Sequence, residues 1–137
     1  MAGLKLTKKK IRGVRGLLVV APEGDLVAAT CSTLEAFINR EMRAGANRIA
    51  VDLSQVKYMS SAAMGLLIEY VERARDGTGW FGLAAACEVV RSAIDVLGLG
   101  EYFRLSPTVE SLLDRCGVPR QKRRAPAKPK RKPRSKK

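Results

Sequence analysis

Residues 48–70 read RIAVDLSQVKYMSSAAMGLLIEY, and no other stretch restricts the fold so tightly. A short apolar run, Ile49-Ala50-Val51, stops at Asp52, as a buried strand does on reaching the edge of its sheet. A turn-rich connection follows, and a helix is expected to begin near Ser60 or Ser61. Met64, Leu67, Ile68 and Val71 fall at i, i+3, i+4 and i+7, one apolar stripe at helical spacing. Ala62, Ala63 and Gly65 keep the first turns slim, so the helix can lie close to a sheet. A strand, loop and helix of this kind place two hydroxyls, those of Ser60 and Ser61, at a helix start. On their own these serines suit helix caps, and Asp52 suits a polar strand end that holds the next loop.

The flanking chain extends the same alternation. Leu4 to Arg12 interleaves Leu4, Leu6 and Ile11 with lysines, a pattern for an edge strand, where lysine discourages pairing with other chains. Leu17 to Ala21 is a central strand closed by Pro22-Glu23-Gly24-Asp25. A first helix is expected over about Thr30 to Ala44, with Ser32-Thr33-Leu34-Glu35 as a capping box and Gly45 as its C-cap. Its buried face is Leu34, Phe37, Ile38 and Met42. Trp80 to Ala86 reads as a further buried strand after the turn Asp76-Gly77-Thr78-Gly79. Val90, Ala93, Ile94 and Leu97 form a third helical stripe, Tyr102 to Leu105 a short last strand, and Val109, Leu112, Leu113 and Cys116 a fourth stripe. Two strands followed by alternating helix and strand predict an α/β domain with a mainly parallel sheet of about five strands and about four helices.

Charge divides the chain. The formal net charge is +13, from 26 Lys/Arg against 13 Asp/Glu. Residues 118–137 hold eleven of those cations and no acid, whereas Gly16 to Gly117 has nine cations against thirteen acids. The expected organisation is one domain over residues 1–117 and a Lys/Arg/Pro-rich tail, disordered, over 118–137. Lys122, Arg123, Arg124, Lys128, Lys130, Arg131, Lys132, Arg134, Lys136 and Lys137 are candidates to contact nucleic acid or an anionic lipid surface without sequence specificity. Histidine is absent, which removes the commonest general base. Cys31, Cys87 and Cys116 form no CxxC pair and read as reduced thiols of a cytoplasmic protein. The longest uncharged run, Tyr58 to Ile68, is short of the roughly 20 residues that span a bilayer. No paired carboxylates, metal cluster or nucleophile–base set is visible, so neither an enzyme nor a cofactor is expected.

The central stretch resembles the motif of STAS domains, the family of anti-sigma factor antagonists. That motif runs as an apolar strand, Asp-Leu-Ser, a few residues, then Met-Asp-Ser-Ser-Gly-x-Gly. Asp52-Leu53-Ser54 matches the first part, and Met59-Ser60-Ser61-Ala62-Ala63-Met64-Gly65 aligns with the second without a gap. Ser60 stands where the family has Asp, Ala62 where it has its second Ser, and Ala63 where it has its first Gly. Gly24-Asp25-Leu26 matches a family Gly-acid-Leu sequence, and the resemblance covers nearly all of residues 4–117.

The resemblance implies a regulatory binding module rather than an enzyme. Ser61 occupies the position of the family's phosphorylated serine, with Ser60 as the alternate. The implied partner is an anti-sigma factor that is also a serine kinase, docking on Gly24, Asp25, Asp52, Ser60, Ser61, Ala62 and Met64. Two other readings stand beside it: an accessory subunit of a lipid-transport complex, where STAS proteins also occur, and a nucleic-acid-binding protein driven by its tail.

Overall fold

The computed structural model describes residues 3–11 and 14–119; Arg12 and residues 120–137, which carry the basic tail, lie outside the described residues. The period-2 and period-3.6 patterns resolve into β1 (Lys5–Lys10), β2 (Leu17–Glu23), α1 (Ala28–Arg43), β3 (Arg48–Asp52), α2 (Ser61–Asp76), β4 (Trp80–Ala84), α3 (Glu88–Val96) and α4 (Val109–Arg115). The sheet order is β1-β2-β3-β4. β1 is antiparallel to β2, with Lys5 opposite Glu23 and Lys10 opposite Leu18. β2, β3 and β4 are parallel.

Alternation along each strand sorts the core into two layers. Leu18, Val20, Ile49, Val51, Phe81 and Leu83 face Leu34, Ile38, Met64, Leu67, Val90 and Ile94, which α1, α2 and α3 supply. Leu17, Val19, Ala50, Trp80 and Ala84 point the other way and pack with Leu112, Leu113 and Val118 from α4 and the turn after it. Gly82 lets α4 approach, since a Cβ there would come 2.8 Å from Leu112 Cδ1. Two polar contacts tie the first layer together. Lys8 Nζ reaches the buried Glu41 carboxylate at 2.8 Å, joining β1 to α1. The Tyr70 hydroxyl of α2 donates to Asn39 Oδ1 of α1 at 2.9 Å, and burial, with the Glu35 carboxylate adding to it, pushes its phenol up to about 12.

Four expectations are corrected. Tyr102 to Leu105 does not form a fifth strand: the segment is a turn, with Arg104 at φ +52°. Only Phe103 O, accepting from Leu83 N–H at 3.0 Å, and Ser106, bridging Ala84, touch β4 there. The α1 start lies earlier than the Ser32–Glu35 pattern predicts. Val27 is the N-cap position, and the Thr30 hydroxyl accepts the Val27 N–H at 3.0 Å while donating to the Asp25 carbonyl at 2.8 Å. β4 ends at Ala84, because Ala85 turns to φ +63°. Leu97 is not in the buried stripe of α3; the helix ends at Val96 and Leu97 is 57% exposed.

Beyond the expected end of the domain at residue 117, Val118 is still buried. No helix among the described residues is long and apolar enough to cross a membrane.

Candidate functional site

The three parallel strands end at Glu23, Asp52 and Ala84, and their loops meet at that edge. This is where open parallel sheets present ligand and partner sites. The loop after β2 and the loop after β3 are stitched by backbone hydrogen bonds. Gly24 N–H donates to Gln55 O at 3.1 Å, Leu26 N–H to Tyr58 O at 2.9 Å, and Ser60 N–H to Leu26 O at 2.8 Å. Leu26, Leu53, Val56 and Met59 are buried beneath the stitches, so the loops are anchored by apolar burial as well. Gly24 sits at φ +126°, and a Cβ there would approach Gly3 O at 3.1 Å, so glycine is the residue that suits the position. The loop after β4 joins from the other side. Leu53 N–H donates to Ala84 O at 2.9 Å, and Cys87 Sγ lies 3.5 Å from Val56 O.

The expected site residues fall out unevenly on this platform. Asp25 is exposed at its rim. Asp52 Oδ1 accepts the Ser54 N–H at 3.0 Å, so its carboxylate holds the loop, the structural role its position at a strand end suggests. Ser60 is the N-cap of α2, and its Oγ accepts the Ala63 N–H at 3.2 Å. A cap of this kind contributes about 1 kcal/mol. Ser61 is the first helical residue and is exposed, as is Ala62. Met64 is corrected from the interface to the core. It is 4% exposed, because it belongs to the same helical stripe as Leu67 and Val71. The cations Lys122 to Lys137 lie outside the described residues.

The two serines therefore differ chemically. Ser60 spends its oxygen on the helix; Ser61 offers its hydroxyl to solvent. No acid occupies the first turn of α2, so no carboxylate of the helix itself offsets the positive end of its dipole beside Ser61. A dianionic group on Ser61 would meet free amide donors and a favourable field.

Two residues that the sequence reading did not single out flank this spot. Tyr58, on the loop before Ser60, is 50% exposed, and Val89, in the first turn of α3, is 59% exposed. Cys87 places α3 against that loop, within 4.0 Å of Lys57 O. Tyr58 stands between Lys57 and the buried Met59, and an aromatic residue beside a charge in a short loop was the available signal. Gly65, one turn beyond Ser61, is also exposed, with nothing within 4 Å of a Cβ. The platform's loops are held by backbone hydrogen bonds, with the apolar Tyr58 and Val89 at its flank and the two serines at its centre.

Among the described residues no three of His, Cys, Asp and Glu converge as a metal-binding group. Burial pushes the Cys31 thiol up, with the Glu35 carboxylate adding to the effect, and burial likewise raises Cys116. Neither is an activated thiolate.

Comparison with known proteins bears on the family and the fold. The anti-sigma-F factor antagonist RsfB of Mycobacterium tuberculosis is 28% identical over 98 residues, covering 72% of this chain and 80% of the relative. The crystal structure of an anti-sigma factor antagonist from Mycobacterium paratuberculosis superposes with a TM-score of 0.68 at 27% identity, over 82% of this chain and 94% of that one. The anti-sigma factor antagonist SpoIIAA in its unphosphorylated form gives a TM-score of 0.67 at 21% identity, over 81% and 95% of the two chains. Its phosphorylated form, from Bacillus, gives 0.62 at 18% identity, over 81% and 98%. The family model of the STAS domain matches residues 7–112, and the chain belongs to that family.

Proposed function

We propose that this protein is a non-catalytic regulatory module that binds an anti-sigma factor with serine-kinase activity, and that phosphorylation of Ser61 ends the association. The observation that carries the reading is the division of labour at the start of α2. Ser60 caps the helix while Ser61 stands exposed on a platform built by two stitched loops. Relatives named anti-sigma factor antagonists, one of them solved in a phosphorylated form, support it.

The energetics favour a veto over an unfolding switch. A phosphate adds about −1.5 to −2 charges. At a helix N-terminus that charge gains about 0.3–1 kcal/mol, so the domain keeps its fold. Like or unpaired charge buried under a docked partner costs several kcal/mol. The second effect is the larger, and docking is lost while the domain stays intact. Tyr58 and Val89 supply apolar contact beside the serine, where aromatic anchors commonly carry binding energy.

Affinity capture of the full chain from its native cells, followed by mass spectrometry, tests the reading. It is expected to recover an anti-sigma factor with a kinase domain, and to find phosphate on a fraction of the captured protein. Reproducible recovery of an ATP-binding transporter subunit in its place would move the chain to the lipid-transport class.

A further inference from the structure

The sheet edge that carries the Ser61 platform continues past β4 into a concavity of its own. β4 closes at Ala84, and Ser106, on the chain returning from α3, bridges it there. The Ala85 amide donates to Ser106 O at 2.9 Å and the Ser106 amide to Leu83 O at 3.1 Å, so the returning chain is fixed beside the strand. The turn at the end of α3 is held in the same way. Gly98 N–H donates to Asp95 O at 2.9 Å, and Leu105 N–H to Gly100 O at 2.8 Å. Between α3 and the returning chain lies a cleft of ≈ 580 Å³, within the size range of small-molecule sites. It opens outside the carboxyl end of a parallel strand, where open α/β sheets hold their ligands.

The walls combine apolar surface with two uncommitted charges. Ala86, Leu105 and Pro107 supply the apolar part, and Arg91 and Asp95 line the same cleft. These two stand four residues apart on α3, on one face of the helix. No ion pair joins them, and neither side chain has a hydrogen-bond or ion-pair partner among the described residues. The Asp95 carboxylate is directed at the turn, since a Cβ at Gly100 would come 3.4 Å from its Oδ1. Glycine at that position keeps the space in front of the carboxylate open. The other polar groups of the cleft are already engaged. Glu101 Oε1 receives Arg115 Nη2 at 2.6 Å, and Ser106 Oγ donates to Arg104 O at 2.9 Å. Val89, two residues before Arg91, projects from the opposite side of α3, so the cleft is separate from the apolar flank of the Ser61 platform.

We propose that this cleft binds a small zwitterion of the α-amino-acid type, with its carboxylate on Arg91, its ammonium on Asp95 and an apolar side chain against Ala86, Leu105 and Pro107. A guanidinium takes a carboxylate through two parallel hydrogen bonds. A simple anion, phosphate included, would satisfy Arg91 but set its charge beside the Asp95 carboxylate; a simple cation would do the reverse. An amino acid carries both charges on one carbon and answers both side chains at once.

Amide NMR of the isotope-labelled full chain, titrated with L-leucine, tests this. Saturable shifts are expected at Ala86, Gly98 and Gly100. Two analogues each lack one charge: leucinamide has no carboxylate and isocaproate no ammonium. Each should bind at least about tenfold more weakly than leucine, because each forfeits a hydrogen bond between charged groups. Arg91 and Asp95 are both exposed, so neutral substitutions there leave the core intact. Arg91→Gln should abolish the advantage of leucine over leucinamide, and Asp95→Asn its advantage over isocaproate. Absence of saturable shifts at these amides up to the solubility of leucine would overturn the site. Equal binding of the three compounds, or unchanged preferences in both variants, would overturn the assignment of a zwitterion to it.

Discussion

Gly79→Ala is expected to remove a large part of the domain's stability. Gly79 precedes β4 and lies flat against the chain entering β3, where Trp80 N–H donates to Asn47 O at 3.0 Å. A Cβ at Gly79 would fall on that same carbonyl oxygen, with the Asn47 carbonyl carbon only 2.5 Å away. The obstacle is backbone, so no rotamer change relieves it. Relief requires moving β4 off β3, which breaks the ladder from Arg48–Trp80 to Asp52–Ala84 and opens both core layers. A loss of at least about 4 kcal/mol follows, against total stabilities of about 5–15 kcal/mol for domains of this kind. Gly65→Ala is the internal control, since nothing lies within 4 Å of a Cβ there. That change should stabilise the exposed helix by about 0.5–1 kcal/mol. Urea unfolding followed by circular dichroism distinguishes the two. A Gly79→Ala midpoint close to that of the wild type would mean that the β3–β4 junction is wrongly placed.

Ser61→Asp should separate binding from stability more sharply than any other surface change. The side chain is exposed at the first position of α2, whose first turn has no acid, so a carboxylate is accommodated and the unfolding midpoint should hold or rise slightly. Affinity for the captured anti-sigma partner should fall by several kcal/mol, about a hundredfold or more at 1.4 kcal/mol per decade. Ser61→Ala, small and neutral, should bind as the wild type does. Calorimetry on the purified pair reads both changes directly. A Ser61→Asp variant that binds at wild-type affinity would reduce the serine to a solvated helix residue.

What could be read from the sequence was local and periodic. Ile49–Val51 as a strand and the Met64, Leu67, Val71 stripe follow from spacing alone, and both were found where expected. The start of α2 was readable because serine is a cap residue, although which of the two serines caps it required coordinates. The α1 start was misplaced because a Ser-x-x-Glu pattern outscored Thr30, which works from inside the helix for an N-cap position occupied by valine. Tyr102 to Leu105 resembled a strand because burial of Phe103 and partial burial of Tyr102 and Leu105 imitate a short apolar run whatever the backbone does. The stitching of the two loops left no pattern at all, since it uses backbone groups far apart in sequence. Met64 was drawn to the interface by its place in the family motif, while helical spacing alone had already put it in the core.

The central claim is that Ser61, and not the adjacent Ser60, accepts the phosphate. The captured kinase incubated with the full chain and ATP, with the modified residue located by tandem mass spectrometry, measures this directly. Phosphate is predicted on Ser61, retained in Ser60→Ala and abolished in Ser61→Ala, because the Ser60 oxygen is engaged by the Ala63 amide at 3.2 Å while Ser61 is exposed. Phosphate on Ser60, or none on either serine, would contradict the account.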